Sequence, residues 1–224
     1  GYAEYIVVPG RFAHKFNEGT SLKEACLCEP VAVVLKGLKR LEHVLGEEYK
    51  GTCGVVGAGP IGHICAQILA LKGHHVTAFD LNHLRRSNIT GVHPSITTSG
   101  NLEGLSQCKV IIEATGSLTA LNTVLNNTIA GTTILLLGLP YAKHTFNFED
   151  IVVNDKAVIG TVGSSANDFQ EALVTLPQLN LLPLTSHVFP LERFGEAWEA
   201  SRNKKLLKAI LEIDGSMVIP IQRH

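Results

Sequence analysis

Three glycines in the stretch VVGAGPIG have the spacing of a phosphate-binding turn. Gly57, Gly59 and Gly62 form the pattern GxGxxG between a short apolar run and a longer helical pattern, and this context gives the motif its meaning. The first glycine permits a tight turn, the second lets the backbone approach a pyrophosphate, and the third lets a helix pack against a strand. The helix N-terminus favours the phosphates through its N–H groups and its dipole. The spacing therefore predicts a dinucleotide site.

Neighbouring residues refine the predicted ligand. Pro60 and Ile61 open the helix beside the phosphates, and proline suits this position because it needs no N–H partner there. Asp80 ends the next apolar run, roughly 20 residues after the glycines, where an acidic side chain takes the ribose hydroxyls. An aspartate there repels a 2′-phosphate, so NAD is predicted over NADP. Arg85 and Arg86 lie within reach and are expected to soften that preference.

The size and charge of the chain restrict the classes of partner. With 224 residues, it exceeds one average domain, so one main domain with a smaller lobe is expected. Hydrophobic residues make up 45% of the chain and charged residues 17%, which is typical of globular proteins. A net charge of -1 gives no long-range field for nucleic acid or an acidic membrane surface. We therefore expect a small-molecule ligand and neither nucleic acid nor membrane as a partner.

Cysteine usage bears on the compartment. The five cysteines are an odd number and include no CxxC pair, which is typical of reduced thiols rather than of a disulfide framework. Residues 1–10 show no basic head followed by an apolar stretch, so no secretory signal is expected. The longest apolar run is too short to cross a bilayer. Together these features predict a cytoplasmic protein.

Strand and helix patterns alternate through the middle of the chain. Apolar β-type runs lie at 52–56, 75–79, 110–114, 133–137 and 157–161, and helical patterns lie at 31–45, 61–72, 118–126 and 167–176. Such alternation, with strands that are apolar throughout, is typical of a parallel sheet covered by helices on both faces. The prediction is an α/β fold with a doubly wound Rossmann sheet.

The pattern changes near residue 183. An extended stretch at 187–189, a helical pattern at 191–201 and a strand at 206–213 follow it, and the helix places Phe194, Ala197 and Trp198 on one face. An extended segment at 2–8 begins the chain. These pieces, together with residues 1–30, are expected to belong to a second lobe.

Several stretches resemble the medium-chain dehydrogenase/reductase superfamily, and more closely its zinc-type alcohol and polyol branch, to which sorbitol and threonine dehydrogenases belong. The resemblance rests on GYAEYIVVP, SLKEACLCEPVAVVLKGLKR, GVVGAGPIGHICAQILALKG with AFD, VIIEATGS, ILLLGLP, HVFPLERFGEAWEA and KAILEI. It implies an NAD-binding Rossmann domain at 31–183, with 1–30 and 184–224 as parts of a GroES-like catalytic domain. It also implies zinc-assisted hydride transfer between an alcohol or polyol and NAD, in a homo-oligomer (dimer or tetramer).

The resemblance also assigns the nicotinamide half of the site. It places Thr115 and Gly116, after the fourth strand, and Leu139 and Pro140, after the fifth, beside the nicotinamide. Both loops follow central strands, where ligands of doubly wound sheets bind. Thr161, in GTVGS, is expected to border the nicotinamide amide near a dimer-forming sheet edge.

In the family that this chain resembles, the zinc ligands lie N-terminal to the matching region. The N-terminal part of the catalytic domain is therefore expected to be missing here. Glu29, in CEPV, matches the position where polyol-type members carry a glutamate beside the metal. One carboxylate does not make a site, because tetrahedral zinc needs at least three protein donors. Glu29 would also suit the first turn of a helix. Cys26 and Cys28 are interpreted as packing residues, and zinc is expected in the intact family enzyme rather than on this chain alone.

Two alternatives stay open at this point, and no catalytic residue is assigned. One is a non-catalytic NAD-binding module. The other is a zinc-free quinone or enoyl reductase, against which Glu29 and Asp80 both count. The stretch 81–108 departs from the family, which usually has a fuller helix and strand there, so the wall of the adenine pocket is expected to be weak.

Overall fold

The computed structural model describes residues 2–16, 18–46, 49–140 and 148–213. The chain divides into two compact units, one formed by residues 16–180 and the other by 1–15 together with 181–224. The predicted domain limits are 31 and 183, whereas the larger unit begins at residue 16 and ends at residue 180. The assignment of the smaller unit to a GroES-like lobe stays a prediction.

The larger unit alternates strands and helices. Its strands are β1 (Thr52–Val56), β2 (His75–Phe79), β3 (Ile96–Ser99), β4 (Val110–Glu113), β5 (Thr133–Leu136) and β6 (Ala157–Gly160). Its helices are α1 (Leu22–Ala25), α2 (Cys28–Leu45), α3 (Pro60–Leu71), α4 (His83–Ile89), α5 (Leu118–Asn127), α6 (Glu149–Val153) and α7 (Ala166–Thr175), with 3-10 turns at Glu103–Gln107 and Leu176–Gln178. The helices and strands predicted for this region lie within a few residues of these bounds.

The six strands form one parallel sheet with the order β3-β2-β1-β4-β5-β6. The chain runs outward from β1 to β3, then crosses back and continues from β4 to β6. Val55 pairs with Ala78 on one side and with Ile112 on the other, so β1 and β4 flank the point where the order reverses. Ligands of such sheets bind outside the carboxyl ends of the strands at this point. The predicted doubly wound α/β fold is confirmed.

The core lies where the apolar strands meet α2, α3 and α5, and α7 packs against α2. On α2, the side chains at helical spacing are buried, including Val31, Leu35 and Leu38. The helix ends at Gly46, whose φ of 84° is one that L side chains rarely adopt. No helix in the described ranges is long and apolar enough to span a bilayer.

Sequence analysis assigned no helix or strand to residues 81–108, whereas the structure contains a short helix and a short strand there. Asn82 caps α4 by accepting a hydrogen bond from Arg85 N–H, and β3 pairs with β2 through Val76 and Ile96. The strand escapes sequence analysis because it lies at the sheet edge, where only Ile96 is buried and the residues that follow it are polar. The sheet therefore extends to β3 on the side of the predicted adenine site.

The smaller unit contains α8 (Leu182–Thr185), β7 (Val188–Pro190), α9 (Phe194–Arg202) and β8 (Ile210–Glu212), with 3-10 turns at Gly10–Phe12 and Leu191–Arg193. Strands β7 and β8 are parallel neighbours. The segment 2–8 forms no strand, and Val7 is fully exposed. On α9, Ala197 is buried, whereas the rings of Phe194 and Trp198 are half-exposed. Both rings lie beside the ring of Tyr2.

A partly exposed lysine on α2 forms ion pairs with two carboxylates on α7, of which only Asp168 is buried. Lys39 Nζ lies 2.8 Å from Asp168 Oδ1 and 2.6 Å from Glu171 Oε2, and Asp168 forms a capping box with Ser165. Burial raises the pKa of Asp168, but the hydrogen bonds from Lys39 and Ser165 outweigh it and lower the pKa to about 2.

This ion pair predicts a pH dependence of stability. Because the folded-state pKa of Asp168 lies below its unfolded value, its contribution is complete above about pH 4 and is lost as the pH falls toward 2. We expect Asp168→Asn to lose about 1–2 kcal/mol of unfolding free energy near neutral pH and much less near pH 2. Urea unfolding at several pH values measures this. An equal loss at both extremes would contradict it.

Candidate functional site

The glycine turn joins β1 to α3 at the reversal of strand order. Gly57 has a φ of 99°, and a Cβ there would lie 2.7 Å from Thr115 Cγ2. A Cβ on Gly62 would overlap the carbonyl oxygen of Gly57, so only glycine lets α3 pack this close to the turn. Gly59 differs, because the nearest atom to its Cβ would be Arg85 Nη1 at 3.7 Å. The turn therefore leaves an open cradle over Gly59.

Helix α3 begins directly at this cradle. Gly59 is its N-cap, Pro60 is its first residue, and Ile61 follows, half-buried. His63 N–H donates to Gly59 O at 2.8 Å. The first N–H groups of an α-helix have no acceptor within the helix, so the start of α3 presents donors and the positive end of the dipole to the cradle.

Asp80 lies beside the turn, at the end of β2. Its Oδ2 accepts a hydrogen bond from Ala58 N–H at 2.9 Å, and its Oδ1 accepts one from Asn82 N–H at 2.8 Å. The first of these bonds joins the carboxylate to the middle of the glycine turn. The sequence placed Asp80 at the correct offset, but only the structure shows that it also fixes the turn.

The two arginines of α4 have different surroundings. Arg85 Nη1 lies 3.6 Å from Asp80 Oδ2 and near Gly59, so its charge stands at the rim of the cradle. Arg86 Nη1 donates to the backbone oxygen of Asp80 at 2.6 Å, and its guanidinium packs against Gly100. Arg85 alone is therefore placed to face a ligand on the turn.

The loops that follow β4 and β5 meet next to the turn. Gly116 has a φ of 67°, and a Cβ there would lie 2.8 Å from Leu139 O. Thr115 borders the glycine turn through its methyl group, as described above. Pro140 is exposed, and residues 141–147 lie outside the described ranges. The structure thus brings Thr115, Gly116 and Leu139 together beside the turn. They lie at one end of the crevice outside the carboxyl ends of the strands.

Sequence analysis missed a buried carboxylate behind these loops. Glu113, the last residue of β4, is 2% exposed and accepts hydrogen bonds from Thr115 N–H at 2.7 Å and Gly116 N–H at 3.2 Å. The Thr115 hydroxyl also bonds to it. A single carboxylate at the end of the apolar run VIIE is the signal that would have found it.

Thr161, after β6, carries an unusual hydroxyl. Its Oγ1 is buried and has no hydrogen-bond partner among the described residues. Its methyl group would lie 3.2 Å from a Cβ on Gly37, in α2. A buried hydroxyl normally has a partner, so Thr161 has one polar atom left to satisfy.

The predicted metal ligand does not belong to a metal-binding cluster among the described residues. Glu29 is exposed in the first turn of α2. No group of three His, Cys, Asp or Glu side chains that could hold a metal occurs in the described parts of the chain. The residues present therefore do not fit a zinc ion. The role of Glu29 beside a metal stays a prediction.

The five cysteines form no disulfide. Cys28 packs as predicted, and its Sγ contacts Phe169 O at 3.7 Å. Cys26 is exposed, so its interpretation as a packing residue is wrong, because it follows the short α1 at the surface. Burial raises the pKa of Cys53 to about 12, which keeps that thiol protonated and unreactive.

The profile of the glucose dehydrogenase C-terminus family matches residues 22–213. The chain belongs to this family. The resemblance to alcohol and polyol dehydrogenases of the medium-chain superfamily is thereby confirmed. Similar curated proteins include an L-threonine 3-dehydrogenase of Yersinia pestis, which is 26% identical over 229 residues that cover 95% of this chain and 65% of that protein. The chain thus spans about two thirds of the length of such relatives.

Solved structures share the fold. L-idonate 5-dehydrogenase from Escherichia coli has a TM-score of 0.75 at 21% identity, covering 88% of this chain and 58% of its own. S. aureus TarJ in complex with NADPH has a TM-score of 0.74 at 22% identity, covering 88% and 66%. At these identities the likeness concerns the fold, which agrees with the strand order described above.

Proposed function

We propose that this chain is the cofactor-binding portion of a cytoplasmic oxidoreductase that transfers a hydride between an alcohol or polyol and NAD. The observation that carries the proposal is the glycine turn at the reversal of strand order, with Asp80 bonded to Ala58 N–H at 2.9 Å. The threonine and idonate dehydrogenases among its relatives act on small hydroxylated molecules, as their names state. Bound NAD supplies the hydride acceptor.

In this proposal each part of the crevice has a task. The amides of the turn and of α3 hold the pyrophosphate over Gly59, and Asp80 orients the adenine-side ribose. Thr115, Gly116, Leu139 and Pro140 form the wall for the nicotinamide half, and the unpaired hydroxyl of Thr161 is a candidate partner for its amide. Zinc belongs to the proposal for the whole protein, with Glu29 at the edge of its site.

Calorimetric titration of the chain with NAD tests the proposal. We expect saturable binding of one nucleotide per chain, because the cradle over Gly59 is formed without ligand. Turnover is then measured on the full-length protein with a panel of alcohols and polyols. A chain that takes up no NAD at millimolar concentrations would contradict the proposal.

The preference for NAD over NADP is a second test of the site. Asp80→Asn keeps the size of the side chain but removes the charge that repels a 2′-phosphate, while Arg85 stays at the rim. We expect the NAD-to-NADP affinity ratio to fall about tenfold or more. Titration of both nucleotides measures it, with Asp80→Asn combined with Arg85→Gln as the control, in which the gain for NADP is lost. An unchanged ratio would remove Asp80 from the specificity site.

We also propose that the protein is a homo-oligomer joined at β6. This strand pairs with β5, and no described strand pairs with its other edge. Val158 and Gly160 on it are exposed. An exposed strand edge is a template for pairing with a second copy. Light scattering on the full-length protein gives the oligomeric state.

A further inference from the structure

Glu113 is a buried carboxylate that forms no ion pair with any residue in the described ranges. Its side chain is 2% exposed. Burial of a charge is unfavourable unless hydrogen bonds or an opposite charge compensate it. Glu113 has only hydrogen bonds, from Thr115 and Gly116. The fold therefore keeps a net negative charge at this point.

The hydrogen-bond partners of Glu113 are all donors. The two backbone partners of Glu113 are N–H donors, at 2.7 and 3.2 Å. Ser117 N–H donates to Thr115 Oγ1 at 2.9 Å, which leaves the hydroxyl proton of Thr115 for the carboxylate. Glu113 thus receives three donors, and an ionised carboxylate acts only as an acceptor.

The carboxylate lies between the loops that form the predicted nicotinamide wall. A Cβ on Gly138, after β5, would lie 2.5 Å from Glu113 Oε2, and Gly138 N–H donates to Glu113 O at 2.9 Å. In the proposed function, Asp80 takes the adenine-side ribose on the β2 side of the crevice. The other half of the dinucleotide would then lie over β4 and β5, in front of Glu113.

We propose that Glu113 is a positioning residue whose buried charge favours the oxidised, positively charged nicotinamide ring over the neutral reduced ring. The proposal rests on the proposed function, because it needs a nicotinamide at this wall. The carboxylate of Glu113 acts on the nicotinamide ring across the loop that contains Thr115 and Gly116. Its field reaches the ring because water screens a buried charge poorly. Its effect is on the relative affinity for NAD+ and NADH.

The test compares binding of NAD+ and of NADH, titrated separately. Glu113→Gln keeps the size of the side chain and removes the charge. We expect the NAD+ affinity to fall about tenfold more than the NADH affinity, which equals a shift of about 30 mV in the potential of the bound couple. If the substitution only loosens the loop, the affinities for both nucleotides fall equally and the ratio of NAD+ affinity to NADH affinity is unchanged.

Two controls separate charge from structure. Thr115→Val removes one hydrogen bond to Glu113 but keeps its charge, so both nucleotides are expected to bind more weakly at an unchanged ratio. Glu103→Gln removes an exposed carboxylate and is expected to change neither affinity. The unmutated chain gives a measurement independent of any variant: it is expected to bind NAD+ at least as tightly as NADH.

The outcomes are distinguishable. If the unmutated chain binds neither nucleotide, the proposed function fails. If it binds both and Glu113→Gln leaves the ratio unchanged, or if the unmutated chain binds NADH more tightly than NAD+, the inference about Glu113 is overturned while the proposed function stands.

Discussion

Gly59→Ala is expected to remove dinucleotide binding while leaving the fold intact. Gly59 has an ordinary φ of -70°, and its added Cβ would meet no protein atom closer than 3.7 Å. The methyl group would instead occupy the cradle where the pyrophosphate must approach the backbone. We expect NAD affinity to fall about a hundredfold, or ~2.7 kcal/mol, with little change in thermal stability. Calorimetry and thermal unfolding measure the two effects.

Gly62→Ala is the matched contrast. Its Cβ would overlap the carbonyl oxygen of Gly57, so the turn or α3 must move. Overpacking of this kind destabilises a protein by about 1–3 kcal/mol, and we expect the affinity to fall as well. Gly195→Ala, whose Cβ would meet nothing within 4 Å, controls for a glycine replacement elsewhere. Tight NAD binding by Gly59→Ala would show that the pyrophosphate does not lie on this turn.

Asp150→Ala is expected to cause the largest loss of stability. Lys156 Nζ, on a side chain only 1% exposed, lies 2.5 Å from Asp150 Oδ2 and also donates to Leu125 O. Removal of Asp150 leaves the buried ammonium without its counter-charge, which typically destabilises a protein by about 3–5 kcal/mol. Urea unfolding measures the change. The pair joins α6, β6 and α5, so its loss loosens the β5–β6 side of the sheet.

The double variant Asp150→Ala with Lys156→Met identifies the cause. It removes both charges and fills the space of the lysine with an apolar chain, so we expect it to be more stable than Asp150→Ala alone. Glu199→Ala is the exposed control: Glu199 lies 3.6 Å from Arg202 and both side chains are more than half exposed, so a loss of about 0.5 kcal/mol or less is expected. Equal losses for Glu199→Ala and Asp150→Ala would contradict this explanation.

Asp80 and Glu113 give the crevice an electrostatic asymmetry. Asp80 forms an ion pair with Arg85, so its negative charge at the predicted adenine end is partly balanced. Among the described residues, Glu113 is compensated by hydrogen bonds alone. In the two proposals above, the first carboxylate bears on the choice between NAD and NADP, and the second on the choice between the oxidised and reduced forms. Both effects are measured with the same titrations.

The sequence by itself determined the parallel sheet and the glycine turn. Buried strands such as 52–56 and 110–114 are continuous apolar runs, and each is followed by a helical repeat, so the signal is local. The glycine spacing is equally local, because the turn, the approach to a phosphate and the packing of α3 each require a residue without Cβ. Elements specified by neighbours in the chain are the ones that the sequence predicts.

The tertiary structure alone decided the edge strand β3, the surroundings of the arginines and the burial of Glu113. Strand β3 is mostly polar because one of its edges and much of its surface lie outside the core. The sequence therefore carries no apolar pattern there, and pairing with β2 determines the strand. Asp80 and Ala58 meet only because β1 and β2 are neighbours in the sheet. Glu113 is enclosed only when Gly138 of the next strand's loop packs against it. Burial of a charge is a property of all the surrounding elements, and no local spacing encodes it.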